Sequence, residues 1–184
     1  MAIVILGWGS LIWDPRDLPR EGRWERGGPT LPVEFSRVSR DARLTLVVDV
    51  LAGVPVVTRY ALSPRAFTPD ALQDLAAREG TGTGQIGFVD LRDGSSSADK
   101  PGQRSTCATI SAWCQEHQFD GAVWTALNSN FTDETGTEFS VESALTYIRS
   151  LPKSARNVAL HYIRSAPDEV VTPVRTAVNL ARFD

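Results

Sequence analysis

Two histidines, two cysteines and one methionine are all that 184 residues offer to soft-metal or redox chemistry. His117 and His161 lie far apart in sequence. Cys107 and Cys114 lack Cys-x-x-Cys spacing, and both fall in a predicted helix. Their separation there is a rise of about 10 Å, beyond the roughly 7 Å that a disulfide allows between Cα atoms. They read as reduced core thiols rather than a metal or redox site. Basic charge is not in excess either. Nineteen Lys and Arg face 22 Asp and Glu, a formal net charge of −3, so the electrostatic footprint of a nucleic-acid binder is missing. No apolar run reaches the ~18 residues of a membrane span. The apolar start, MAIVILGWGSLIW, has no Lys or Arg ahead of it. It reads as a first strand rather than a secretion signal, and a cytoplasmic protein with reduced thiols is the expectation.

What is present is ordinary globular material, 42% hydrophobic and 22% charged. A chain of this length suits one domain, 1–184, and buries roughly two-thirds of its unfolded surface. No internal repeat or linker breaks it. The first part reads as mostly β. Ala2 to Leu6 is a continuous apolar run, as in a strand buried on both faces. Asp14 to Pro32, rich in Pro, Gly, Arg and Glu, shows no period and reads as a long surface loop. Strands are expected at 32–38, 43–50 and 54–62, with Gly53 turning the chain between the last two. Glu34, between inward-facing Val33 and Phe35, is expected to face outward.

A helix is predicted from Thr68-Pro69-Asp70 to about Glu79. Thr suits the cap, Pro the first helical position and Asp the positive helix end. Gly80, Gly82 and Gly84 stop it, and 85–91 is a strand followed by a polar loop over 93–102. Beyond lie a helix from about Arg104 carrying Cys107, Ile110, Trp113 and Cys114, a strand at 119–127, and a polar turn region at 128–137. Ser140 caps a further helix, Pro152 interrupts it, and a second helix runs on to Pro167. The tail after Thr172 fits a short strand or a short helix equally.

Two features carry chemistry. The turn Gly7-Trp8-Gly9-Ser10-Leu11 follows a buried strand, and its glycines let the backbone approach a ligand closely. Its N–H groups can hold an anion or a developing oxyanion. A dinucleotide fingerprint needs a third glycine where Ile12 stands, and a Gly-x-Ser-x-Gly elbow is absent. On the composition of the turn alone, a plain tight turn serves as well. The second feature is Glu79, which shares a helix face with Leu72, Leu75 and Ala76. An inward carboxylate loses hydration, which raises its pKa towards that of a usable general base. Asp74 and Arg78 fall on other faces and read as solvated charges. The alternative is that Glu79 sits in a frayed last turn, in solvent or paired with Arg78 or Arg59.

Taken together these features resemble the gamma-glutamyl cyclotransferase superfamily, including its ChaC-type branch. The family opens with a strand and a Tyr-Gly-Ser-Leu or Tyr-Gly-Ser-Asn turn, often followed by Ile-Trp and a proline. This chain has Gly7-Trp8-Gly9-Ser10-Leu11-Ile12-Trp13-Asp14-Pro15. The family continues with a strand ending in Tyr-x-Leu, a helix, and a glutamate in a segment like Leu-Asp-x-x-Glu-Gly. Here Tyr60-Ala61-Leu62 precedes the helix, which closes on Leu75-Ala76-Ala77-Arg78-Glu79-Gly80. Trp8 stands for the family's tyrosine and Ala76 for its aspartate. A tyrosine that often follows the glutamate has no clear match in 84–88. The resemblance covers roughly residues 2–92.

The resemblance implies an α+β fold whose twisted, mostly antiparallel or mixed sheet forms a small barrel with helices packed around it. It implies a small-molecule substrate, a gamma-glutamyl amine or peptide such as glutathione, and no metal or cofactor. The amides of Trp8, Gly9, Ser10 and Leu11 would grip the gamma-glutamyl group. Glu79 would act as general acid/base while the substrate's α-amine closes a ring to 5-oxoproline. Two rivals use the same cavity. One is a non-catalytic binder of an amino-acid-like ligand, and the other an acyl transferase or amidohydrolase with an external nucleophile. Among other residues, Asn128, Asn130, Glu134 and Glu138 read as turn formers or the lining of a substrate mouth. Trp8 and Trp13 can wall a pocket if the turn is the site, and a Ser10–His161 pair has no local support.

Overall fold

The computed structural model describes residues 2–183. It is a mixed α+β fold whose strands, β1 (Ile3–Gly7), β2 (Glu21–Val38), β3 (Leu44–Val48), β4 (Val54–Leu62), β5 (Ile86–Asp90) and β6 (Gly121–Thr125), form one six-stranded sheet. The strand order is β3-β2-β4-β1-β6-β5. β1 runs antiparallel to β4 and parallel to β6, while β5–β6 and β2–β3 are antiparallel, which makes the sheet mixed. The chain divides into two compact units. One takes residues up to Leu31 with Val57–Leu127, and the other Pro32–Val56 with the residues from Asn128 onward. β2 and β4 contribute residues to both.

In the first unit β1 is buried throughout, as its unbroken apolar run requires. Its Ile3 and Ile5 join Ile86 and Val123 under Ala71, Leu75 and Ala76 of α1 (Thr68–Glu79). On the opposite face of β6, the Trp124 indole N–H donates to Gln103 at 3.1 Å. Gln103 leads into α2 (Arg104–Glu116), which buries Cys107, Ile110, Trp113 and Cys114 on the predicted stripe. Each fully buried aliphatic side chain contributes about 1.5–3 kcal/mol.

The expected loop over Asp14–Pro32 ends early, because β2 begins at Glu21 and runs for 18 residues. Its first half is mostly exposed, and Gly22 and Gly27 take positive φ, so alternation is blurred. Distant partners hold it instead. The Thr58 hydroxyl donates to the Pro29 carbonyl at 2.8 Å and the Trp113 indole N–H to the Gly27 carbonyl at 3.0 Å. A Cβ on Gly28 would lie 2.5 Å from the Thr58 hydroxyl, so only glycine permits this approach.

The sheet is open, which corrects the expectation of a barrel. The strand order ends on β3 and β5, which do not pair with each other. Beside β5, the returning segment 95–97 occupies the outer edge. Asp90 N–H donates to the Ser95 carbonyl at 2.9 Å and Ser97 N–H to the Phe88 carbonyl at 3.0 Å. With that edge taken by a local turn, closure has no free ladder to use.

The second unit pairs the end of β2 with β3 and adds α3 (Phe131–Thr135), α4 (Val141–Ser150), α5 (Lys153–Arg164) and α6 (Pro173–Leu180). The expected polar turn at 128–137 thus contains a short helix. Ser140 caps α4 as anticipated, in a reciprocal box with Ser143. The tail resolves into α6, capped by the Thr172 hydroxyl. Glu34 is buried rather than outward-facing. Val33, Glu34, Phe35 and Ser36 are all buried, so this stretch of β2 is covered on both faces and alternation no longer sorts inside from outside.

Candidate functional site

The turn after β1 and the end of α1 lie in the same unit and meet. Gly7 closes β1, and a Cβ there would come within 3.0 Å of the Trp24 ring. Trp8 and Leu11 are buried, Gly9 and Ser10 half-buried. The turn is closed by Ile12 N–H to the Gly9 carbonyl at 3.0 Å and Asp14 N–H to the Ser10 carbonyl at 2.8 Å. No described hydrogen bond runs from the N–H groups of Gly9, Ser10 or Leu11. Leu11 and Leu18 pack in one cluster with Leu75 and Ala76, which lays the segment against α1.

α1 keeps its predicted bounds, with Pro69 in the first turn. Thr68 does not cap it. Its hydroxyl donates to the Asp90 carboxylate at 2.6 Å instead. Gly80, with φ of 64°, ends the helix; its own N–H donates to Ala77 and that of Thr81 to Ala76. Glu79 is therefore the last helical residue.

The Glu79 side chain is 20% exposed and that of Arg78 only 3%. The expectation of a solvated Arg78 is overturned, because turn residues cover it. One Arg78 Nη donates to the Asp14 carbonyl and the other to Glu79 Oε1 at 2.8 Å, while Arg16 donates to the Arg78 carbonyl at 3.3 Å. Buried guanidinium is costly unless its donors are matched, yet Arg78 Nε has no acceptor among the described residues. Thr125, the last residue of β6, also donates to Glu79 Oε1, at 3.2 Å. Asp74 is not solvated either, being held in a two-point pair by Arg65 at 2.6 and 2.9 Å.

Glu79 and the turn are thus one guanidinium apart. Both described bonds to the carboxylate fall on Oε1, which fixes its orientation. Turn amides and an oriented carboxylate can bind an acceptor-rich group and exchange a proton with it. Sequence reasoning offered Arg78 as one possible partner of Glu79 but placed its side chain in solvent, and it missed Thr125. Arg78 is unremarkable by helical period, and Thr125 reaches Glu79 only through the sheet.

Other sequence candidates sit elsewhere. His117 ends α2, stacks on Trp113 at 4.7 Å between ring centroids, and has Nδ1 at 2.9 Å from the Trp113 carbonyl. His161 is exposed and its ring lies 3.5 Å from the Ser165 hydroxyl. Asn130 brackets Val38, accepting its N–H at 2.7 Å and donating to its carbonyl at 3.0 Å, which is a turn-forming role. Glu134 lines a cleft of ≈ 630 Å³ with Thr137, Thr146 and Tyr147. Both cysteines are free and buried. Burial pushes the Cys114 thiol up to about 12. Among the described residues no three His, Cys, Asp or Glu side chains converge as metal ligands, and no helix is long and apolar enough to cross a membrane. No family model, curated protein or solved structure matches the chain.

Proposed function

We propose that the chain is a gamma-glutamyl cyclotransferase-like enzyme that releases 5-oxoproline from a gamma-glutamyl amine or peptide. The observation that carries the reading is the contact of Arg78 with both the Asp14 carbonyl and Glu79, which joins the glycine turn to the carboxylate. The sequence resemblance supplies the reaction.

The amides of Trp8, Gly9, Ser10 and Leu11 receive the gamma-glutamyl group and polarise its γ-carbonyl. Glu79 takes a proton from the substrate's α-ammonium group. The freed nitrogen attacks the γ-carbon, forming the ring C–N bond as negative charge develops on the carbonyl oxygen. Collapse breaks the bond to the departing amine. Two protons leave the α-nitrogen in all, and both end on the departing amine, with Glu79 as carrier. Both reacting groups belong to one molecule, so orientation supplies much of the rate and the protein needs no nucleophile of its own.

The test is incubation with glutathione and a panel of gamma-glutamyl amines, with 5-oxoproline read by mass spectrometry. Product is expected from at least one compound, reduced on the order of 10²–10⁴-fold in Glu79→Gln with the fold intact. Thermal stabilisation by these compounds without turnover would instead mark a binding protein. Turnover that requires an added amine or water as acceptor would mark an acyl transferase or amidohydrolase.

A further inference from the structure

We infer that Arg78 is a positioning residue for this site: its buried guanidinium sets the carboxylate of Glu79 and the far end of the 9–14 turn in one fixed relation. The inference rests on the function proposed above, and deepens it by naming the group that assembles the two halves.

Three observations converge. The Arg78 side chain is 3% exposed on the last turn of a helix, where an arginine ordinarily reaches water. Its two Nη groups divide between two elements, Glu79 on α1 and the Asp14 carbonyl at the end of the turn. Its own carbonyl is held by Arg16, two residues beyond Asp14, so segment and helix are tied in both directions. A guanidinium is planar with a rigid fork of donors, and it fixes the angle between two acceptors as a flexible ammonium cannot. Asp14 N–H in turn closes the turn onto the Ser10 carbonyl. The chain of constraint therefore runs from Glu79 through Arg78 and Asp14 to Ser10, one of the residues whose amides form the proposed donor set. Leu11 and Leu18, packed on Leu75 and Ala76, supply contact area but no angular control. Thr125 holds Glu79 from the other side and does not reach the turn by any described hydrogen bond.

The experiment compares Arg78→Lys, Arg78→Met and Arg78→Ala with wild type in two readouts. The first is turnover of the gamma-glutamyl panel. Arg78→Lys keeps charge and stem but cannot bridge both acceptors with a rigid fork. It is expected to lower kcat by about 10²-fold, the scale of a misplacement near 1 Å, with KM little changed. In Arg78→Ala, methylguanidinium at a sub-denaturing concentration is expected to restore part of kcat. The second readout is hydrogen exchange of the 9–16 amides, which needs no turnover. It is expected to rise in Arg78→Lys while protection in the first turns of α1 is kept. Arg78→Lys carries the comparison if Arg78→Met fails to fold. Unaltered exchange over 9–16, or wild-type kcat in Arg78→Lys, would overturn the inference. If wild type turns over none of the panel while exchange rises in Arg78→Lys, the brace stands and the cyclotransferase reading falls.

Discussion

The Glu34 carboxylate on β2 accepts the backbone N–H of Val174, in the first turn of α6, at 3.2 Å. Its other oxygen accepts the Phe35 N–H at 2.7 Å, and the Thr172 hydroxyl also bonds to it. A buried acid thus serves the open end of a terminal helix, whose unpaired N–H groups need acceptors.

Burial is the main influence on Glu34 and raises its pKa above 4.5, against the hydrogen bonds from Thr172, Phe35 and Val174; nearby Asp49 adds to the rise. A raised folded-state pKa means that the folded chain holds the proton more tightly than the unfolded one. Its contribution is therefore fully present below pH 4.5 and is lost as pH climbs through the folded value. Urea unfolding followed against pH is expected to show stability declining with rising pH in that window, and this component is expected to vanish in Glu34→Gln. An identical pH slope in the variant would rule the assignment out.

Asp90 carries the opposite sign. The Arg92 guanidinium, followed by the Thr68 hydroxyl, holds its carboxyl at about 2. That stability is present above the unfolded value near 3.8 and is lost as pH falls towards 2. Asp90→Asn is expected to cost about 1–2 kcal/mol at neutral pH, discounted because Arg92 is partly exposed. It should also flatten the acid limb of unfolding between pH 4 and 2 (about two units). The loss should appear first as faster exchange at the start of α1, since Thr68 bonds to the same carboxylate.

Arg175 on α6 gathers backbone carbonyls from the last residue of α5 and the turn after it. Its Nη1 donates to Pro167 at 2.6 Å and Val170 at 2.8 Å, and its Nη2 to Ala166 at 2.5 Å and Arg164 at 3.3 Å. Removing one charged donor group orphans several carbonyls at once. Arg175→Met is expected to destabilise the chain by about 2–4 kcal/mol in equilibrium denaturation. A change within about 0.5 kcal/mol, typical of a plain surface substitution, would show the cluster to be slack.

Cys107 and Cys114 are buried, and desolvation raises both thiols, Cys114 to about 12. Thiolate is the reactive form. Native protein at pH 8 is expected to resist iodoacetamide, whereas urea-unfolded protein takes up two labels, counted by intact mass. Rapid labelling of the native chain would show that α2 opens readily.

Local windows carried much of the fold. β1 follows from an unbroken apolar run, α1 from Pro69 at its start and Gly80 at its end, and α4 from the Ser140 cap, because each signal acts within a few residues of its cause. The same windows placed Glu79 at the end of α1 and the glycine turn after β1, so two parts of the candidate site were legible. Tertiary structure decided the rest. β2 extends back to Glu21 because distant partners hold it, and the sheet stays open because segment 95–97 takes the β5 edge. Glu34 turned from surface to core when both faces of its strand were covered, and Arg78 when the turn folded over the helix. Helical and strand periods report which residues share a face. Whether a face meets water depends on chain far away in sequence, and no local window contains that chain.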